Sequence, residues 1–292
     1  MRPAISRAAE TSREPKMIAR RTVIQGGISL AAAVAGTGTG FAQNRRGSAP
    51  TASGTSLSTV KALFFDVFGT LVDWRTGVAR EAEALLKPRG ISLDWLGFAD
   101  AWRAEYLPIT EEVRSGRSPY VKLDVLERRM LDNILPRFGA KDIPEDTRQQ
   151  LNLAWHRLDG WPDVKTSLAR LGHRFRLAPV SNGNISLMAD IAARNGWRWD
   201  AILGADIAHD YKPKADVYLA AAQAFDLDPA NCMMVAAHDI DLTHGGASAA
   251  GLRTAYIARP SEYGPGKKAD PLTGKVDISA SNLAELADRL GV

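Results

Sequence analysis

Apolar and polar positions alternate differently in successive parts of this chain. At Ala62-Leu63-Phe64-Phe65 four apolar residues run together, end in Asp66 and are followed by Gly69, as expected of a buried strand entering a turn. Helical periodicity then takes over. Val78, Ala79, Ala82, Leu85 and Leu86 share one face, and further helical stretches are predicted near 95–106, 119–137 and 145–158. Strand-like runs return at 175–180, 201–204, 232–236 and 254–258, separated by helical segments, notably 185–195 and 215–226. Strands alternating with helices predict an α/β fold with a doubly wound, Rossmann-like parallel sheet. The block of helices at 76–158 predicts a cap inserted after the first strand, with the core made by 60–75 and 159–292.

The first 59 residues follow neither pattern. Arg20-Arg21 precede an apolar, Ala/Gly-rich run to about Gly40, and the segment closes on Gly40-Phe41-Ala42. A charged start, a short apolar middle and a small-residue end predict a secretory signal over 1–42 rather than a membrane span. The paired arginines resemble a twin-arginine signal. The expectation is export to a bacterial periplasm with a mature N-terminus near Gln43, no stable membrane anchor, and a flexible Gly/Ser/Thr/Pro-rich linker over 43–59.

Removing residues 1–42 changes the charge. The sequence holds 37 basic and 33 acidic residues, and the leader takes six basic and two acidic ones with it, leaving 31 of each. The sequence pI of about 9.2 is therefore a property of the leader and gives no support for nucleic acid as a partner. A single cysteine, Cys232, rules out an internal disulfide and lies in the apolar run Cys232-Met233-Met234-Val235, as a buried structural thiol would.

Four later segments carry candidate chemistry beside Asp66. Ser181-Asn182-Gly183 follows a strand and precedes a helix whose first amides would face an anion, though these residues also favour an ordinary turn. Tyr211-Lys212-Pro213 lies in a loop before a helix. Ala236-Ala237-His238-Asp239-Ile240-Asp241 follows the fourth strand, and its acids would equally cap a helix starting near Leu242. Arg103, in Trp102-Arg103-Ala104-Glu105-Tyr106, lies on a helix of the cap. A carboxylate at the C-terminal edge of a parallel sheet is placed where open α/β folds bind ligands.

Taken in chain order, Asp66-Val67-Phe68-Gly69-Thr70-Leu71, Ser181-Asn182, Lys212 and Asp239/Asp241 resemble the four motifs of the haloacid dehalogenase superfamily. Phosphatases of that superfamily carry a second Asp two residues after the nucleophile. Phe68 stands there instead and has no proton to give a leaving alcohol. With Arg103 and with Tyr218 six residues after Lys212, the chain resembles the type II, L-2-haloacid dehalogenases over residues 60–290. The resemblance implies Asp66 as nucleophile, Lys212 holding it ionised, and Asp241 orienting Lys212 and the hydrolytic water. It further implies Arg103 and Asn182 at the departing halide, and Thr70 and Ser181 around the nucleophile and substrate carboxylate. Phe68 and Tyr218 would help form the pocket. Short 2-haloacids would be the substrate, no cofactor would be needed, and a homodimer is compatible with the resemblance. The chain departs from it where the type II pattern has two Ser, an Asn and a Trp, with Ala236, Ala237, His238 and Ile240 in their places. His238 is a candidate for positioning or deprotonating water. Two alternatives stay open: a Mg²⁺-dependent phosphatase or phosphonate hydrolase using Asp66, Asp239 and Asp241, and a non-catalytic binding protein for small carboxylates.

Overall fold

Six strands, β1 (Ala62–Phe65), β2 (Arg176–Ser181), β3 (Leu203–Gly204), β4 (Cys232–Ala236), β5 (Arg253–Ile257) and β6 (Ile278–Ala280), form one sheet in the order β3-β2-β1-β4-β5-β6. Every pairing is parallel. The computed structural model describes residues 57–243 and 245–292, so the signal over 1–42 and most of the linker lie outside the described residues. Among the described residues no helix is long and apolar enough to cross a membrane.

Six α-helices intervene between β1 and β2, and the first five, α1 (Trp74–Leu86), α2 (Trp95–Ala104), α3 (Tyr106–Arg114), α4 (Leu123–Ile134) and α5 (Glu145–Asn152), include the cap. The other helices are α6 (Val164–Leu171), α7 (Ile185–Asn195), α8 (Ala205–Ala208), α9 (Ala215–Ala224), α10 (Asp239–Leu242) and α11 (Leu283–Arg289). Because helices cover both faces of the sheet, β1 is apolar throughout rather than alternating. Leu63 and Phe65 pack into the core on one face, and Ala62 and Phe64 into the core on the other.

Local chemistry sets the ends of the cap helices. Asp73 caps α1 by accepting from the Thr76 N–H at 3.0 Å, and Asp94 caps α2 through the Gly97 N–H at 3.0 Å. The predicted stretch at 95–106 breaks at Glu105, because Pro108 has no N–H to donate back to the Ala104 carbonyl. Pro is tolerated within a first turn, so a new helix, α3, begins. Pro136 similarly converts the end of the 119–137 stretch into a 3₁₀ turn over Leu135–Phe138. The expected helix starting near Leu242 is corrected: α10 is a single turn that ends there, with Asp239 and Asp241 inside it. Sequence periodicity also missed α6, β6 and α11, the strand being only three residues long and at the sheet edge.

This topology delivers Asp66 to its place. β1 lies between β2 and β4, with Phe65 opposite both Pro179 and Val235, so the chain leaves the sheet at its C-terminal edge where the strand order reverses. The Asp66 N–H then donates to the Val235 carbonyl at 3.0 Å, extending the ladder by one residue.

Candidate active site

Asp66 lies on the floor of a cavity of about 550 Å³ formed between the sheet edge and the inserted helices. That volume is ordinary for a small-molecule site. Lys212 Nζ lies 2.8 Å from Asp66 Oδ1 and 2.7 Å from Asp241 Oδ2, so one buried ammonium links the carboxylates that follow β1 and β4. The Thr70 hydroxyl donates to Asp66 Oδ2 at 2.6 Å and accepts from the Ala237 N–H at 2.9 Å. His238 completes the cluster, with Nδ1 3.3 Å from Asp66 Oδ2 and Nε2 3.0 Å from Glu262 Oε1.

Burial alone would drive Asp66 to its neutral form. The charges of Lys212 and His238, and hydrogen bonds from both, outweigh it and hold the carboxyl well below the usual carboxylate range. Burial opposes the charge on Lys212, but Asp241 and Asp66 raise its pKa above the usual lysine value. For His238 burial likewise favours the neutral ring, and Glu262 and Asp66 prevail, placing its pKa well above that of a free imidazole. The resting cluster therefore holds an ionised nucleophile beside an imidazolium. Asp241 is shifted upward by burial, against the pull of Lys212 and with a further push from Asp66.

Glu262 carries no motif and was not foreseen from the sequence. The loop after β5 brings it to His238, and Trp74 Nε1, at the start of α1, donates to its Oε1 at 3.1 Å. Gly69 makes room: its φ is +83°, and a Cβ there would run into the Glu262 carboxylate. The glycine of the first motif is thus required both by backbone conformation and by the approach of Glu262.

The structure distributes the other sequence candidates unequally. Phe68, Arg103 and Asn182 line the cavity with Asp66, Lys212, His238 and Asp241. Asn182 Oδ1 accepts from the Lys212 backbone N–H at 2.8 Å, and its Nδ2 donates to the Tyr106 hydroxyl at 2.5 Å. Arg103 forms no ion pair with a described residue. Its guanidinium lies over the Tyr106 ring at 4.3 Å and the Trp74 ring at 5.9 Å, on the cap side of the cavity. Tyr218 is buried beneath Asp241, its hydroxyl 3.5 Å from Oδ1, and stands behind the cavity wall. Ser181 also lies behind the wall. It is fully buried, and its hydroxyl accepts from the Gly183 N–H at 3.0 Å within the strand-to-helix turn.

The residues do not suit a magnesium ion. Ligand atoms of Asp66, His238 and Asp241 lie within 4.8 Å of one another, but the Lys212 ammonium bridges the two carboxylates where a cation would have to enter. Magnesium also prefers oxygen ligands to imidazole. Asp239, the third acid of that alternative, turns the other way, accepting from Thr243 Oγ1 at 2.7 Å and from Thr273. Cys232 is buried in β4, and burial pushes its thiol up to about 12, the environment of an inert structural cysteine.

Sequence and structure comparisons give the family. The model of the haloacid dehalogenase-like hydrolases matches residues 60–236. The chain belongs to this family. Among curated relatives, an (S)-2-haloacid dehalogenase of Pseudomonas sp. (strain YL) is 32% identical over 203 residues, 68% of this chain and 83% of that protein. An (S)-2-haloacid dehalogenase of Xanthobacter autotrophicus is 28% identical, covering 70% of this chain and 77% of its own length. Among solved structures, a defluorinating L-2-haloacid dehalogenase superposes with a TM-score of 0.77 at 41% identity, over 80% of this chain and 96% of that one.

Proposed function

We propose that this protein hydrolyses short 2-haloalkanoic acids through an aspartyl-ester intermediate, releasing halide and a 2-hydroxy acid. The observation that carries the reading is the pairing of an ionised Asp66, held by Lys212, with Phe68 two residues on. The site has an ionised carboxylate nucleophile, and Phe68 stands where phosphatases of the superfamily carry the Asp that protonates an alcohol leaving group, which suits a leaving group that departs as a stable anion. The identities to (S)-2-haloacid dehalogenases support the same substrate class.

In the first half-reaction an Asp66 oxygen attacks C2 in line, and the electron pair of the C2–halogen bond leaves with the halide. Arg103, free of any ion-pair partner among the described residues, stabilises that charge, with Asn182 beside it. Lys212 offsets the substrate carboxylate and Asp66 together. Attack at C2 inverts the centre, so an L-2-haloacid gives a D-2-hydroxy acid.

The second half-reaction falls to His238. Once Asp66 is an uncharged ester, one of the two carboxylates that hold the imidazolium proton is gone, and His238 releases that proton to solvent. The neutral ring, oriented by Glu262, accepts a proton from water as the water attacks the Asp66 carbonyl. It returns this proton to the departing alkoxide oxygen, then takes the proton of the regenerated Asp66 carboxyl. The balance is one water consumed and one proton and one halide released. Asp241 steers Lys212, and through it the reacting carboxyl.

Halide release tests the reading. Chloroacetate and each enantiomer of 2-chloropropionate are supplied, with and without EDTA, to the wild type and to Asp66→Asn. Halide that appears despite EDTA and disappears in the variant is the expected result. Binding without turnover would favour a carboxylate-binding protein, and activity lost on chelation a metal-dependent hydrolase. Export by the twin-arginine route remains our proposal for residues 1–42, checked by an exported N-terminus near Gln43.

A further inference from the structure

The cap side of the cavity carries two buried polar atoms without a hydrogen-bond partner among the described residues, Glu127 Oε2 and Trp155 Nε1. Both residues line the cavity, and Glu127 is only 2% exposed. They belong to one patch, since Trp102 Nε1 donates to the Glu127 carbonyl at 3.0 Å and the Trp102 ring packs edge-on against Trp155 at 5.6 Å. A buried carboxyl is costly to leave unpaired, and an apolar side chain at 127 would avoid that cost. Burial first, and then Asp124, push this carboxyl toward its neutral form against the pull of Arg103. A neutral carboxyl offers an O–H, and a buried O–H with no partner among the described residues needs an acceptor.

We propose that Glu127 donates a hydrogen bond to the departing halide next to Arg103, and that this contact decides how well the cavity accepts fluoride relative to heavier halogens. The inference rests on the dehalogenation reading. Bond formation from Asp66 to C2 places the C2–halogen electron pair on the halide, and Glu127 shares its proton with that anion without surrendering it. Fluoride is the poorest leaving group and the strongest acceptor of the series, so its release depends most on the donor. Bromide, large and diffuse, depends on it least. An ionised glutamate in the same place would repel both the halide and the substrate carboxylate.

The test compares fluoride and bromide release from fluoroacetate and bromoacetate in the wild type, Glu127→Met and Glu127→Gln. Methionine fills similar volume and removes the unpaired carboxyl, so the variant is expected to fold, and Glu127→Leu is the second apolar replacement. The fluoride-to-bromide rate ratio should fall roughly tenfold or more in the apolar variants, the usual effect of losing a hydrogen bond to a charged acceptor. It should stay near the wild-type ratio in Glu127→Gln, whose amide still donates. An equal fall for both halides, a ratio in Glu127→Gln as low as in Glu127→Met, or a wild type that releases bromide but no fluoride would each overturn the proposal. A folded wild type that releases neither halide would instead overturn the dehalogenation reading, and this inference with it.

Discussion

The two sides of the cavity treat their polar groups in opposite ways. On the sheet side Asp66, Lys212, Asp241, His238 and Glu262 form a closed network in which every charge faces an opposite one. On the cap side Arg103 rests on aromatic faces, while Glu127 Oε2 and Trp155 Nε1 have no partner among the described residues. The sheet side is preorganised, its charges fixed before any substrate arrives, as electrostatic catalysis requires. On the proposed mechanism the cap side holds donors in reserve for an anion that exists only after the carbon–halogen bond breaks. Such a division places chemistry on the rigid sheet edge and recognition of the leaving group on the insert.

Breaking the closed network should have the largest effect. Lys212→Met leaves two buried carboxylates without their shared cation, and is expected to lower kcat/KM by roughly 10²–10³-fold. It should also cost about 3–5 kcal/mol of stability. Steady-state halide release together with urea unfolding would show both. A variant with wild-type turnover would mean that the ammonium is structural only.

His238→Gln should act later in the cycle. The first halide should still leave, while turnover falls on the order of 10²-fold. A burst of halide equal to the enzyme, and a mass increase on the peptide containing Asp66, would show the trapped ester. Loss of the burst as well would move His238 to the first half-reaction.

The smallest expected effect sharpens the comparison at the junction of cap and core. His156, after α5, lies 3.1 Å from Asp124 of α4 and 2.7 Å from Asp190 of α7. Burial lowers its pKa, but hydrogen bonds to Asp124 and Asp190 win and raise it above the free value. A raised histidine stabilises fully below its unfolded pKa, and the contribution is lost as pH rises through the folded one. His156→Gln should therefore lower Tm by a few degrees at pH 5.5 and by less at pH 9. An equal loss at both values would show that the ring matters for packing and its charge does not.

Much of this arrangement was legible in the sequence because strand ends are local. An apolar run followed by an acid marks Asp66 and Asp241, and a Lys before a helix marks Lys212. Ser181 shows the limit of such reading. It occupies a motif position, and only the fold shows that it sits behind the cavity wall with its hydroxyl accepting from the Gly183 N–H. Glu262 was invisible because an irregular loop carries it and only the fold brings it to His238. Glu127 left a trace that periodicity had available. It falls at the spacing of Leu123, Met130 and Ile134, on the buried stripe of α4, where a glutamate contradicts its neighbours. The short elements β6 and α10 failed for a simpler reason, since three or four residues are too few for any period to show.

Trp74 connects the two sides, and that has a consequence for how such an enzyme can change. Its indole N–H braces Glu262, its ring stacks on Trp155 at 6.2 Å, and Arg103 lies over its face. In the proposed mechanism one side chain thus touches both the grip on the outgoing halide and the support of the base that clears the ester. A lineage, or an engineer, that reshapes the halide pocket through this position also retunes the hydrolytic step. Selection for a new halogen should therefore leave Trp74 alone and fall first on neighbours that touch only one of the two steps.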